Sequence, residues 1–138
     1  MLRSFLHAGL GLWLATSAAA AADYITFQSP TGNIQCGLYE DGAGATVRCD
    51  MSQLTPSYTK APPGCEFDWG SSFALNSVGK GILACVSDPA GGPDSPVLGY
   101  GQAVSMGGIS CVSAKTGMTC TNAAGHGFAI SKARQRLY

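Results

Sequence analysis

Charge is scarce in this 138-residue sequence: Asp, Glu, Lys and Arg make up 12% of it, eight of each sign, with no formal net charge. Globular chains usually carry about 25%. A nucleic-acid binder shows a basic excess or stripe, and the only basic cluster here is Lys132, Arg134 and Arg136 near the C-terminus. Three charges on one tail read as a solvated strand face before they read as a docking site, and no nucleic-acid partner is expected.

Histidine is also sparse, and His126 is the only one outside the N-terminal segment. There is no Cys-x-x-Cys pair, which removes the common zinc and haem-attachment motifs, and no Gly-x-Ser-x-Gly nucleophile elbow. Gly79, Gly81 and Ala84 match Gly-x-Gly-x-x-Ala, but that fingerprint needs a strand before it and a helix after it, and here it leads into a strand. No catalytic residue, metal ligand or cofactor is therefore assigned. Beyond Ala22 no apolar run is long enough to cross a bilayer. No apolar pattern of period 3.6 persists either, so helices are not expected.

The N-terminal segment is distinctive. Met1 to Ala22 carries Arg3, an apolar run through Leu14 and Ala15, and small residues up to Ala20 and Ala22. That is the pattern of a secretory signal peptide cleaved before Asp23, leaving a soluble domain over residues 23–138, roughly 116 residues. Without Arg3, seven basic residues face eight acidic ones. No cysteine begins the mature chain, which argues against a lipid anchor there. The predicted location is secreted or periplasmic.

All six cysteines, Cys36, Cys49, Cys65, Cys85, Cys111 and Cys120, follow the leader. An even count in an exported chain reads as a disulfide framework. Frequent glycine and proline with short alternating runs predict an all-β domain, a small antiparallel sandwich or barrel of hairpins. Tyr24–Phe27 is a first strand, and Ile34–Tyr39 turns at Asp41–Gly42 and returns through Thr46–Asp50. With a four-residue loop, Glu40 opposes Ala45, Leu38 opposes Val47, and Cys36 falls opposite Cys49. Opposed Cα atoms, about 4.5 to 5.5 Å apart, suit a disulfide. The same count about Ala114–Gly117 sets Cys111 opposite Cys120, with Gly117 where positive φ is wanted. Cys65 with Cys85 remains by elimination, Cys65 arriving from a neighbouring strand. A last strand runs from Gly125 to Ile130, with a tail to Tyr138 that could extend its sheet.

Two proline-bearing stretches, Met51–Gly64 and Ser87–Gly99, read as loops and as candidate binding surfaces. Asp50, Asp68 and Asp88 lie near cysteines and could converge as calcium ligands or paired carboxylates, although turn-forming aspartates explain the pattern equally well. His126, flanked by glycines, could serve as a base or simply allow close strand packing. Trp69, the only tryptophan after the leader, is either core beside a disulfide or an exposed contact. Trp69 and His126 are kept as possible binding residues.

The ordered motifs Phe27-Gln28-Ser29-Pro30-Thr31-Gly32-Asn33-Ile34-Gln35-Cys36, Val47-Arg48-Cys49-Asp50, Asp68-Trp69-Gly70, Cys85-Val86-Ser87-Asp88, Leu98-Gly99-Tyr100-Gly101, Gly117-Met118-Thr119-Cys120 and Gly125-His126-Gly127-Phe128 resemble a group of small secreted bacterial proteins, domain of unknown function 6636. The resemblance implies export, cysteine pairing and bacterial origin, and transfers no functional residue. Two functions stay open. One is a non-enzymatic binding or inhibitor module presenting its loops or the Trp69 region to a protein or glycan. The other is a small hydrolase or calcium-dependent protein using Asp50, Asp68, Asp88 or His126.

Overall fold

The computed structural model describes residues 14–15 and 23–138, so the leader assigned to Met1–Ala22 lies almost wholly outside the described residues. Among the described residues ten strands form two antiparallel meanders. β1 (Asp23–Gln28), β2 (Ile34–Asp41), β3 (Gly44–Met51), β4 (Ser72–Asn76) and β5 (Ile82–Leu83) make sheet A in chain order. β6 (Ala103–Met106), β7 (Ile109–Ala114), β8 (Gly117–Asn122), β9 (Gly127–Ile130) and β10 (Gln135–Leu137) make sheet B in the same way. The sheets pack face to face, β4 against β8 and β9, β2 against β6, and β3 against β7. The all-β expectation thus resolves as a sandwich.

Period-2 patterning drives this arrangement. In β3, Ala45, Val47, Cys49 and Met51 are buried while the residues between them are half-exposed; in β8, Met118, Cys120 and Asn122 alternate in the same way. One core joins both sheets, with Phe73, Phe128, Leu38, Leu75, Ile109 and Met118 at its centre. Each fully buried side chain of this size contributes about 1.5 to 3 kcal/mol of transfer free energy.

Cys36 lies opposite Cys49 and Cys111 opposite Cys120, with Cα separations of 4.1 and 4.0 Å, and all four are fully buried. Both hairpins close more tightly than a four-residue loop, because pairing continues to Asp41 with Gly44 and to Ala114 with Gly117. The register is unchanged, since each tightening adds one pair symmetrically. Gly117 has φ +130°, and a Cβ there would lie 2.1 Å from the Ile130 carbonyl oxygen.

The two sheets repeat each other in strand order and in the register of their disulfides. Across sheet A one inward row reads Phe27, Cys36, Cys49, Phe73, Leu83; across sheet B the matching row reads Val104, Cys111, Cys120, Phe128, Leu137. Ser72-Phe73-Ala74-Leu75 of β4 corresponds to Gly127-Phe128-Ala129-Ile130 of β9. Each half thus carries one cross-strand disulfide with a phenylalanine opposite its second cysteine, and sheet A has a further one, Phe27, opposite the first.

Other details differ from the sequence expectations. Cys65 joins Cys85, but it arrives from the long loop 52–71 and not from a strand, and Cys85 also lies outside β5. Pro56, Pro62 and Pro63 lack the donors a strand would need. β9 begins at Gly127 and not Gly125, so His126 precedes the strand in a turn whose backbone is held by Asn122. The tail, by contrast, extends the sheet of the last strand as expected. It reverses and returns as β10 beside β9.

Loop 52–71 covers the free edge of β10. Thr55 N donates to Lys132 O (2.8 Å), Ser57 N to Gln135 Oε1 (2.9 Å), and Leu137 N to Tyr58 Oη (2.8 Å). Such cover protects an edge strand from pairing with other chains.

Candidate functional site

At one end of the sandwich five separate connections surround an open cleft of about 480 Å³. The β1–β2 turn brings Thr31 and Asn33, the chain after β3 brings Ser52 and Gln53, and Tyr100 precedes β6. The β7–β8 turn adds Lys115, and the β9–β10 turn adds Ser131 and Lys132. Its size falls within the range of small-molecule sites, roughly 300 to 1,000 Å³.

Local hydrogen bonds set the walls. Asn33 Nδ2 donates to Gln53 O (2.9 Å) and Gln53 N donates to Asn33 Oδ1 (2.8 Å), so the β1–β2 turn and the segment after β3 move together. Ser29 Oγ accepts from Ile34 N at 3.1 Å, fixing the turn that carries them. Tyr100 is 45% exposed, leaving a ring face available for stacking. Lys115 and Lys132 are both exposed, and no Asp or Glu lines the cleft.

A second concavity, about 530 Å³, lies on the outer face of sheet A between the Tyr24–Tyr39 pair, Ile82 and the segment 84–90. The two tyrosine rings lie 6.1 Å apart. Asp50 anchors one wall. Its Oδ2 accepts from Ala90 N at 2.6 Å and its Oδ1 from Ser72 Oγ at 2.8 Å. Arg48 pairs with Asp50, its Nε 3.3 Å from Oδ1 and its Nη2 donating to Oδ2 at 3.4 Å, and Arg48 Nη2 also donates to the Asp88 carbonyl. Tyr24 Oη donates to Ala90 O at 2.6 Å.

The acidic candidates are therefore partly gathered, but for a structural task. Asp50 holds the 88–90 segment down, and Asp88 and Asp68 take part through backbone carbonyls, Asp68 O accepting from Val86 N at 2.9 Å. His126 stands apart at the β8–β9 turn of sheet B. Its glycine neighbour Gly127 does allow close approach, since a Cβ there would meet the Cys120 carbonyl oxygen at 2.1 Å. Among the described residues no three His, Cys, Asp or Glu side chains converge as metal ligands.

Trp69 is 37% exposed and lines a shallow hollow of about 330 Å³ with Leu54, Pro56 and Tyr58, so it is not part of the central core. Of the two proline-bearing loops, the first supplies Ser52 and Gln53 to the end cleft, and the second supplies Pro89 and Ala90 to the sheet A groove. Of the cleft residues, Asn33 and Tyr100 fall within the family motifs but are not among the expected binding residues, and Gln53 and Lys115 carry no motif. The signal that could have found Lys115 is its place in a hairpin turn. Among the described residues, no helix is long and apolar enough to cross a membrane.

The model of a family of unknown function (DUF6636) matches residues 8–138. No curated protein and no solved structure matches.

Proposed function

The chain belongs to the family of unknown function DUF6636, and we propose that it acts outside the cytoplasm as a non-enzymatic binding module whose ligand occupies the end cleft. The observation that carries this reading is the convergence of hydroxyl, amide, ammonium and aromatic groups from five connections on one concave surface. Loops at the end of a rigid sandwich are a common place for recognition, because the sheets hold them at little entropic cost. Three disulfides suit an oxidising compartment, periplasmic or extracellular, and the N-terminal pattern of Met1–Ala22 supports export. The ligand would be a glycan or a protein segment.

The hydrolase or calcium-dependent alternative draws no support from the placement of Asp50, Asp68, Asp88 and His126, which lie on different sheets or serve the backbone. The test is heteronuclear NMR of the folded, disulfide-bonded chain titrated with a panel of neutral and charged oligosaccharides and envelope-protein peptides. Shifts clustered at Asn33, Gln53, Tyr100 and Lys115, weakened by Tyr100→Ala, support the reading. Ligand-induced shifts confined to other surfaces, or none across the panel, overturn it.

A further inference from the structure

Charge in this molecule is divided by sheet. All eight acidic residues lie between Asp23 and Asp94, in sheet A and its loops. From Ser95 to Tyr138, which includes all of sheet B, there is no Asp or Glu, and the basic residues are Lys115, Lys132, Arg134 and Arg136. The overall neutrality of the chain conceals this separation.

The fold then draws those four cations together. The β7–β8 and β9–β10 turns meet where Gly117 lies against Ile130 and Ser131, which sets Lys115 beside Lys132 across the end cleft. Gly117 and Ser131 also line an adjoining concavity of about 400 Å³ on the outer face of β8, β9 and β10, which contains Arg134 and Arg136. Its floor is low, because Thr119, Ala129 and Arg136 are register neighbours and two of them are small. Arg136 is held with its guanidinium carbon 4.6 Å from the Tyr138 ring centroid. Among the described residues the one ion pair is Arg48–Asp50, so none of these four cations is neutralised by a neighbouring carboxylate.

On the reading of the end cleft as a ligand site, we infer that the ligand is an acidic polysaccharide, a sugar chain bearing carboxylate or sulfate groups. It would cross from the cleft onto the β8–β10 face. Four separated cations on a low, hydroxyl-bearing track suit a chain with about one charge per sugar, and the Tyr100 ring offers one stacking surface. Single-stranded nucleic acid requires a run of aromatic platforms along its groove, and Tyr100 is the one ring lining either concavity. A membrane surface fits less well, since of the exposed large apolar side chains only Tyr100 borders these concavities.

The test uses the disulfide-bonded chain and four probes: oligogalacturonate, a neutral malto-oligosaccharide, single-stranded DNA, and vesicles containing phosphatidylglycerol. Oligogalacturonate is expected to bind with shifts at Tyr100, Lys115, Lys132 and Arg136. Raising salt from about 50 to 200 mM should weaken it by roughly tenfold or more, because exposed charges are screened. Lys115→Gln with Lys132→Gln, and separately Arg134→Gln with Arg136→Gln, should each weaken it about tenfold while leaving the melting temperature unchanged. If the neutral sugar binds the cleft equally well and the glutamine variants have no effect, the acidic-ligand inference fails while the cleft reading stands. If no probe moves a cleft resonance, the acidic-polysaccharide inference fails, and the cleft reading fails with it only when the envelope-protein peptides move none either. Equal or tighter binding to DNA or to the vesicles, at the same cations, overturns the polysaccharide in favour of that partner.

Discussion

Phe73 of β4 and Phe128 of β9 face each other across the sandwich with ring centroids 6.5 Å apart, each beside the buried disulfide of its own sheet. They occupy equivalent positions in the two halves, so the aromatic contact at the centre of the core joins the two repeats. Truncating either to alanine should cost about 3 to 5 kcal/mol. A double-mutant cycle, read by chemical denaturation, should give a coupling of about 0.5 to 1.5 kcal/mol. Strict additivity would show that the rings stabilise their own sheets and not the interface between them.

The disulfides differ in access. Cys36–Cys49 and Cys111–Cys120 are fully buried, whereas Cys65–Cys85 lies half-exposed under loops. Limited dithiothreitol under native conditions, followed by alkylation and mass mapping, should label Cys65 and Cys85 first. Early labelling of Cys111 or Cys120 would refute this order. The bridges span 13, 20 and 9 residues of sequence, and loop-closure entropy gives each roughly 3 kcal/mol. Full reduction should therefore unfold or badly loosen the chain, whose total stability is about 5 to 15 kcal/mol.

Asp50 is the tie between sheet A and the segment that covers it. Asp50→Ala removes the acceptor of Ala90 N and Ser72 Oγ and the counter-charge of Arg48. Losing such an acceptor costs about 1 to 3 kcal/mol. Hydrogen exchange at Ala90 should accelerate more than exchange in the β8 ladder. Equal acceleration everywhere would mean that Asp50 supports global stability and not this segment.

Gly81 sits where the β5 end of sheet A meets the C-terminal strands. Its N–H donates to Tyr138 O at 3.1 Å, and a Cβ there would lie 2.2 Å from the Gly127 carbonyl oxygen. Because the obstacle is backbone, Gly81→Ala must separate the two chains, and the melting temperature should fall by several degrees, about 1 kcal/mol or more. Gly42→Ala, with nothing within 4 Å of the added carbon, should stay within about 0.5 kcal/mol of the parent.

Much of the fold was legible in the sequence because the information is local. Strand alternation and short turns fix hairpin register, and register alone places Cys36 opposite Cys49 and Cys111 opposite Cys120, whether the turn holds two residues or four. The internal repeat is written in the sequence but does not stand out there. Phe73-Ala74-Leu75 and Phe128-Ala129-Ile130 are nearly the same phrase, as are Gly32-Asn33-Ile34-Gln35-Cys36 and Gly107-Gly108-Ile109-Ser110-Cys111. Unequal spacing between strands, with loop 52–71 present in one half only, hides the equivalence until the ladders are aligned.

What only the tertiary structure decided is non-local. The meeting of Phe73 with Phe128 depends on how two finished sheets stack, and no hairpin rule reaches across that interface. The pairing of Cys65 with Cys85 is decided by the path of a loop, where no ladder constrains position. The end cleft is of the same kind. Lys115 belongs to one turn and Lys132 to another, and it is the antiparallel pairing of β8 with β9, close enough to require glycine at position 117, that turns a scattered set of cations into one surface.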